Sequence, residues 1–197
     1  MPGRRRRACA RPGLSLIPHR NFWFLRHGET DYNAAGLSQG ALDIDLNATG
    51  RAQAAAAGPK LAGLGIVGIV CSPMRRTRQT AAIVNLSLGL EIILEPDLRE
   101  VIFGGMEGKP LQPWFGEWLA GRATPAGAES FAEVTARVQG AMVRVLARPG
   151  PLLIVSHGGI FRALRGLMSL PLASGLTPNA VPIFCAHGPA GWQAAPL

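Results

Sequence analysis

The chain has 197 residues, 48% of them hydrophobic and 16% charged, which is enough for one ordinary domain with a sizeable core. Its formal charge is +8, but six Arg and no acid lie within residues 1–20, so the rest carries 14 basic against 12 acidic residues and is nearly neutral. That distribution argues against a nucleic-acid-binding domain, and no apolar run reaches the roughly 20 residues of a membrane helix.

Residues 1–20 are expected to form a basic, disordered tail rather than a specific nucleic-acid arm, with Gly13 and Pro18 opposing regular structure. The apolar piece Leu14-Ser15-Leu16-Ile17 falls short of the ~7 to 15 residues of a signal-peptide core, and the Arg-rich start is short for an organelle transit peptide. Cys9, Cys71 and Cys185 are an odd, scattered set without metal spacing, as suits reduced thiols in a cytoplasm. The expectation is therefore a cytoplasmic protein whose single domain occupies residues 21–197.

The domain opens on Phe22-Trp23-Phe24-Leu25, an apolar run read as a buried strand that delivers Arg26 and His27 to its carboxyl end. A polar loop follows through Asp31, Asn33, Gly36, Gln39 and Gly40 to Asp45. Asn47 or Thr49 then caps an Ala-rich helix over 52–64, stopped by Gly63 and Gly65. The β-branched run 66–70 predicts a second strand. Ser72 followed by Pro73 has the form of an N-cap and first-turn proline, which places Arg75 and Arg76 beside the positive end of a helix running to about Leu88.

Residues 91–94 predict a short strand, and Pro96 turns the chain into Asp97-Leu98-Arg99-Glu100. The stretch 103–127 is broken by Gly and Pro and holds Trp114, Phe115 and Trp118, so it reads equally as a pocket wall or lid and as aromatic packing on the core. Ser130 with Glu133 forms a capping box for a helix through about Ala147, whose apolar side is Phe131, Val134, Val138, Met142, Val143 and Leu146. A third strand over 152–155 leads into Ser156-His157-Gly158-Gly159, a helix follows over 159–168, and 181–185 with 192–194 supply closing strands.

Three apolar runs thus end in cationic or imidazole chemistry. If they are neighbours in one α/β sheet, Arg26, His27, Arg76 and His157 converge at its carboxyl edge, where such sheets bind ligands. Four groups of that kind repel one another unless an anion sits among them, and a phosphoryl group fits.

The ordered set Leu25-Arg26-His27-Gly28-Glu29-Thr30, Ser72-Pro73-Met74-Arg75-Arg76-Thr77-Arg78-Gln79-Thr80-Ala81, Leu98-Arg99-Glu100 and Ser156-His157-Gly158-Gly159 resembles the histidine phosphatase superfamily. That family includes the cofactor-dependent phosphoglycerate mutases, the phosphatase domain of fructose-2,6-bisphosphatase, and small broad-specificity phosphatases. The resemblance implies a three-layer αβα sandwich around a central, mostly parallel sheet. It implies His27 as the nucleophile that becomes phosphohistidine, Arg26, Arg76, His157 and Gly158 as phosphoryl-binding residues, Thr30 and Asn33 as aids in holding the phosphate, and Glu100 as proton donor. It implies neither metal nor cofactor, and a small phosphorylated substrate as partner. Oligomeric state is left open, a homodimer included.

Met106 stands where many relatives carry an aromatic residue, Ala128 replaces a frequent second Gly, and Tyr32 stands where Trp is common. The segment between Glu100 and Ser130 lacks the longer insertion of the mutases, which favours a phosphatase over a phosphoglycerate mutase. A non-catalytic phospholigand-binding protein on this fold would have lost His27, His157 or Glu100, and all three are present.

Overall fold

The computed structural model describes residues 17–172 and 176–197. Its sheet is built from β1 (Phe22–Arg26), β2 (Gly68–Cys71), β3 (Ile92–Leu94), β4 (Leu152–Ser156), β5 (Pro182–Gly188) and β6 (Gly191–Pro196), in the order β3-β2-β4-β1-β5-β6. The first four in that order run parallel, while β5 is antiparallel to β1 and β6 to β5. The three runs expected to be neighbours, β2, β4 and β1, are adjacent, and every residue in them is buried. A parallel sheet has this property because its crossover helices cover both faces.

Alternation along the strands assigns the two faces. Trp23, Leu25, Ile69, Cys71, Leu153 and Val155 pack with Ala54, Ala57 and Leu61 of α2 (Ala48–Leu61) and Ala81 and Val84 of α3 (Arg75–Leu88). Phe22, Phe24, Val70, Leu152 and Ile154 pack on the opposite side with α5 (Phe131–Leu146) and α6 (Gly158–Leu167). The result is the three-layer αβα sandwich around a mostly parallel sheet. Each large apolar side chain buried this way contributes about 1.5–3 kcal/mol.

Local signals explain the element ends. The Ser130–Glu133 capping box forms as expected and stabilises the start of α5 by about 1 kcal/mol. Asn47, of the two cap candidates, accepts from Gly50 N at 2.8 Å, so α2 begins four residues before the Ala-rich stretch and ends by Leu61. The second strand is displaced from the expected 66–70 to Gly68–Cys71, because its partner β4 starts only after Pro151, which has no N–H to give the ladder. Gly89 ends α3 in the left-handed region at φ 64°. A short helix, α1 (Asp31–Ala34), interrupts the loop after β1.

Within 103–127 both expected roles occur together. A short helix, α4 (Trp114–Leu119), buries Phe115 and Trp118 against Phe103 and Phe131, while Phe103, Leu111 and Phe115 also face the pocket described below.

Residues 1–16 of the expected tail lie outside the described residues. Three of the four that follow contact the domain: Ile17 is 3% exposed in the core, His19 stacks on His187 at 3.7 Å, and Arg20 donates to the carbonyls of Leu146 and Arg148. The domain therefore begins before Asn21. Cys71 and Cys185 are buried free thiols, and burial pushes both up to about 12.

Candidate active site

The site lies at the carboxyl edge of β1 and β4. His27 follows β1, its N–H continuing the ladder to Ser156 O at 2.9 Å. Gly28 is required beside it, since a Cβ there would run into the carbonyl of Gly50 at the start of α2, and Gly28 N is held by Thr80 Oγ1 at 3.0 Å. These contacts from α2 and α3 lock the backbone under the imidazole. His27 is 2% exposed, and its Nδ1 lies 2.7 Å from Gly28 O. A carbonyl only accepts, so Nδ1 carries the proton and the lone pair of the neutral ring is on Nε2.

Burial first, and then Arg26 and Arg76, hold the His27 pKa well below 6.5, so the ring is neutral at physiological pH. Arg26 extends from the end of β1 and anchors through Nη1 on Thr177 O at 2.5 Å. Arg76 is fully buried in the first turn of α3 and donates to Leu42 O at 2.7 Å and Gly40 O at 3.0 Å. Burial brings Arg26 down to about 10, against the opposing pull of Glu100, which still leaves it charged. Arg75, next in the same turn, points to solvent and pairs with Asp45 at 2.9 Å.

His157, after β4, is fully buried with its ring 5.3 Å from that of His27, and burial and Arg76 likewise hold its pKa well below the ordinary value. Arg26 Nε, Arg76 Nε and His157 Nδ1 are buried with no acceptor among the described residues. Three buried nitrogens of this kind gathered around a nucleophile match the oxygens of a tetrahedral anion. Gly158 begins α6, and the positive end of that helix adds to the same field.

Arg26, His27, Asn33, Arg76, Glu100 and Gly158 line one pocket of about 500 Å³, open mouth included, whereas His157 does not line it and is fully buried beside His27. Glu100 sits where α6 begins, its Oε2 accepting from Gly159 N at 3.3 Å, and a Cβ at Gly159 would collide with that carboxylate. Asn33 faces the pocket, whereas Thr30 is fully buried beneath it: Thr30 caps α1, taking the Asn33 N–H at 3.2 Å while its own N–H goes to Asn33 Oδ1. Thr30 thus orients Asn33 rather than lining the pocket.

Several lining residues carried no sequence signal. Ser38, Gln39 and Gly40 come from a loop without periodicity, Arg162 from the buried face of α6, and Leu176 and Thr177 from the connection to β5. Asn179 ties the site together by donating to His27 O at 2.8 Å and Asn33 Oδ1 at 3.3 Å. Ser72 departs from its expected role: α3 is capped at Met74 without a side-chain bond, and Ser72 Oγ lies 2.8 Å from His157 Nε2 instead.

The chain's relatives agree with this geometry. A family model described as the histidine phosphatase superfamily (branch 1) matches residues 22–180. The chain is 37% identical over 171 residues to the probable phosphoglycerate mutase GpmB of Yersinia enterocolitica, covering 80% of this chain and 76% of that one. It is 38% identical over 142 residues to the uncharacterized phosphatase PhoE of Bacillus subtilis, covering 71% and 72%. Among solved structures, a mycobacterial glucosyl-3-phosphoglycerate phosphatase in complex with VO3 superposes with a TM-score of 0.78 at 30% identity, covering 89% of this chain and 97% of that one. The chain belongs to the histidine phosphatase superfamily and is an enzyme of its phosphatase or mutase-like kind.

Proposed function

We propose that the chain is a metal-independent phosphomonoester hydrolase that acts on a small phosphorylated metabolite through a phosphohistidine at His27. The observation that carries this is the fixed tautomer of His27, with Nδ1 held by Gly28 O and Nε2 left as the nucleophile in a pocket shared with Arg26 and Arg76, beside the ring of His157. In the first step the Nε2 lone pair forms the N–P bond as the ester P–O bond breaks, and the departing oxygen takes the carboxyl proton of Glu100. In the second, the Glu100 carboxylate takes a proton from water, whose oxygen attacks phosphorus. The N–P bond then breaks, its electron pair returns to Nε2, and phosphate leaves. Charge on the phosphoryl oxygens is met by fixed guanidinium groups and the α6 terminus, which can supply what a metal would otherwise supply.

The test is acid and base quenching during turnover of a radiolabelled phosphomonoester, with excess chelator present. Label that is acid-labile, base-stable and maps to His27 is expected, and His27→Ala should lose both label and turnover. Turnover persisting in that variant removes the proposal. The names of the GpmB relatives favour phosphoglycerate mutase as the second reading. Isomerisation of 3-phosphoglycerate in the presence of a bisphosphate primer would establish it, and release of inorganic phosphate alone would exclude it.

A further inference from the structure

We propose that Ser72 is a positioning residue that selects the tautomer of His157, so that this ring presents Nδ1–H, not a lone pair, to the phosphoryl group. The strand register brings the two together: Cys71 pairs with Val155 between β2 and β4, and Ser72 N continues the ladder to Val155 O at 3.0 Å. The next residues on each chain therefore meet at the carboxyl edge, and Ser72 Oγ lies 2.8 Å from His157 Nε2.

The direction of that hydrogen bond follows from the remaining contacts. Ser72 Oγ accepts the Met74 N–H at 3.4 Å. Among the described residues Nε2 is the one acceptor in reach of the Ser72 hydroxyl proton, so the hydroxyl donates there and the ring proton stays on Nδ1. The reverse arrangement puts an Nδ1 lone pair, buried and with no protein donor, towards phosphoryl oxygens that are themselves acceptors. The choice matters because His157 is held neutral by burial and by Arg76. A doubly protonated ring would offer N–H on both sides and need no selection, whereas a neutral ring offers one. Ser72 and His157 are both fully buried, so bulk solvent does not compete for the bond.

The structural arm of the test does not depend on the reaction proposed above; only the kinetic arm rests on it. Long-range ¹H–¹⁵N correlation spectra of protein labelled at histidine distinguish the two tautomers. The parent should show His157 protonated on Nδ1, and an Nε2–H ring overturns the proposal outright. Ser72→Ala should shift His157 towards the Nε2–H form and lower kcat/KM by about 10- to 100-fold, a loss of the size seen when a group orienting a metal-ligating histidine is removed. Ser72→Thr keeps the hydroxyl and should restore the Nδ1–H spectrum and most of the rate. An Ala variant with the parent tautomer, or a Thr variant whose spectrum follows Ala, refutes the assignment whatever the rates. Loss of His27 labelling in the parent with the Nδ1–H tautomer intact would instead count against the reaction alone.

Discussion

Glu100 is the one carboxylate among the described residues that lines the pocket. The other nearby acids serve the framework: Glu29 receives Asn47 Nδ2 at 2.9 Å, and Glu107 receives Ala41 N at 2.8 Å and Phe103 N at 3.2 Å. A general acid matters only when the departing oxygen is a poor leaving group, so Glu100→Gln should slow an alkyl phosphate by about 10²- to 10⁴-fold and p-nitrophenyl phosphate far less. Measuring kcat/KM for both esters decides it, and equal losses would make Glu100 a binding residue. Glu100 was legible only through the resemblance carried by Leu98-Arg99-Glu100, whereas Arg26, His27 and Arg76 stood out on their own because each follows an apolar strand or cap signal. Ser72 was misread for a physical reason. Ser-Pro carries a strong local capping preference, but its hydroxyl is taken by a histidine 85 residues away, a contact that no short-range pattern encodes.

At the scale of elements, the question is what holds the Glu100 turn. Arg137 of α5 donates through Nη1 to Asp97 O at 2.7 Å and Arg99 O at 3.0 Å, while Nε and Nη2 form a two-pronged pair with Glu129 at 2.9 and 2.8 Å. Glu129 also receives Ile102 N at 2.9 Å, and Ser156 Oγ donates to Leu98 O at 2.9 Å. The backbone on both sides of Glu100 is thereby tied to α5 and β4. Two turns further along α5, Arg144 binds Glu95 and Asp97 at 2.7 Å but is 53% exposed, against 10% for Arg137. Solvent screens the outer bridge, whereas breaking the inner one leaves the half-buried Glu129 carboxylate with only Arg99, at 3.2 Å, and the Ile102 N–H. Arg137→Met should therefore destabilise the protein by about 2–4 kcal/mol and lower kcat on alkyl esters more than on the nitrophenyl ester. Arg144→Ala should barely change urea stability and should leave kcat unchanged. Equal effects of the two variants would refute this ranking. The helix carrying both was read correctly from its cap and from Val134, Val138, Met142 and Leu146, but Val143, expected on the apolar side, is 48% exposed, and Val145 is buried in its place. The two short helices were not, since the four residues of α1 and the six of α4 span less than two turns and give periodicity nothing to act on.

Across the whole molecule, the site costs the fold something that pH can reveal. His27 and His157 are buried as neutral rings among guanidinium groups, with pKa values held well below the ordinary 6.5. The unfolded chain protonates both near that ordinary value, so below it the unfolded state binds protons that the native state refuses. Stability then rises with pH wherever the unfolded state holds more protons, which means it is fully present above about pH 7 and is lost as pH falls through 6.5. Each ring contributes a slope approaching about 1.4 kcal/mol per pH unit below that point. Between pH 7.5 and 5.5 the two together should remove about 2.5–3 kcal/mol of unfolding free energy. Urea titrations in phosphate-free buffer test this, since any anion bound to the native pocket would offset the loss. His27→Gln and His157→Gln should each remove about half of the pH dependence, because each deletes one of the two protons at issue. A parent protein whose stability is flat over this range would mean that the native rings take up protons as readily as those of the unfolded chain, and one whose stability grows on acidification that they take them up more readily. In the second case a native His27 protonated at neutral pH would have no lone pair on Nε2 with which to attack phosphorus.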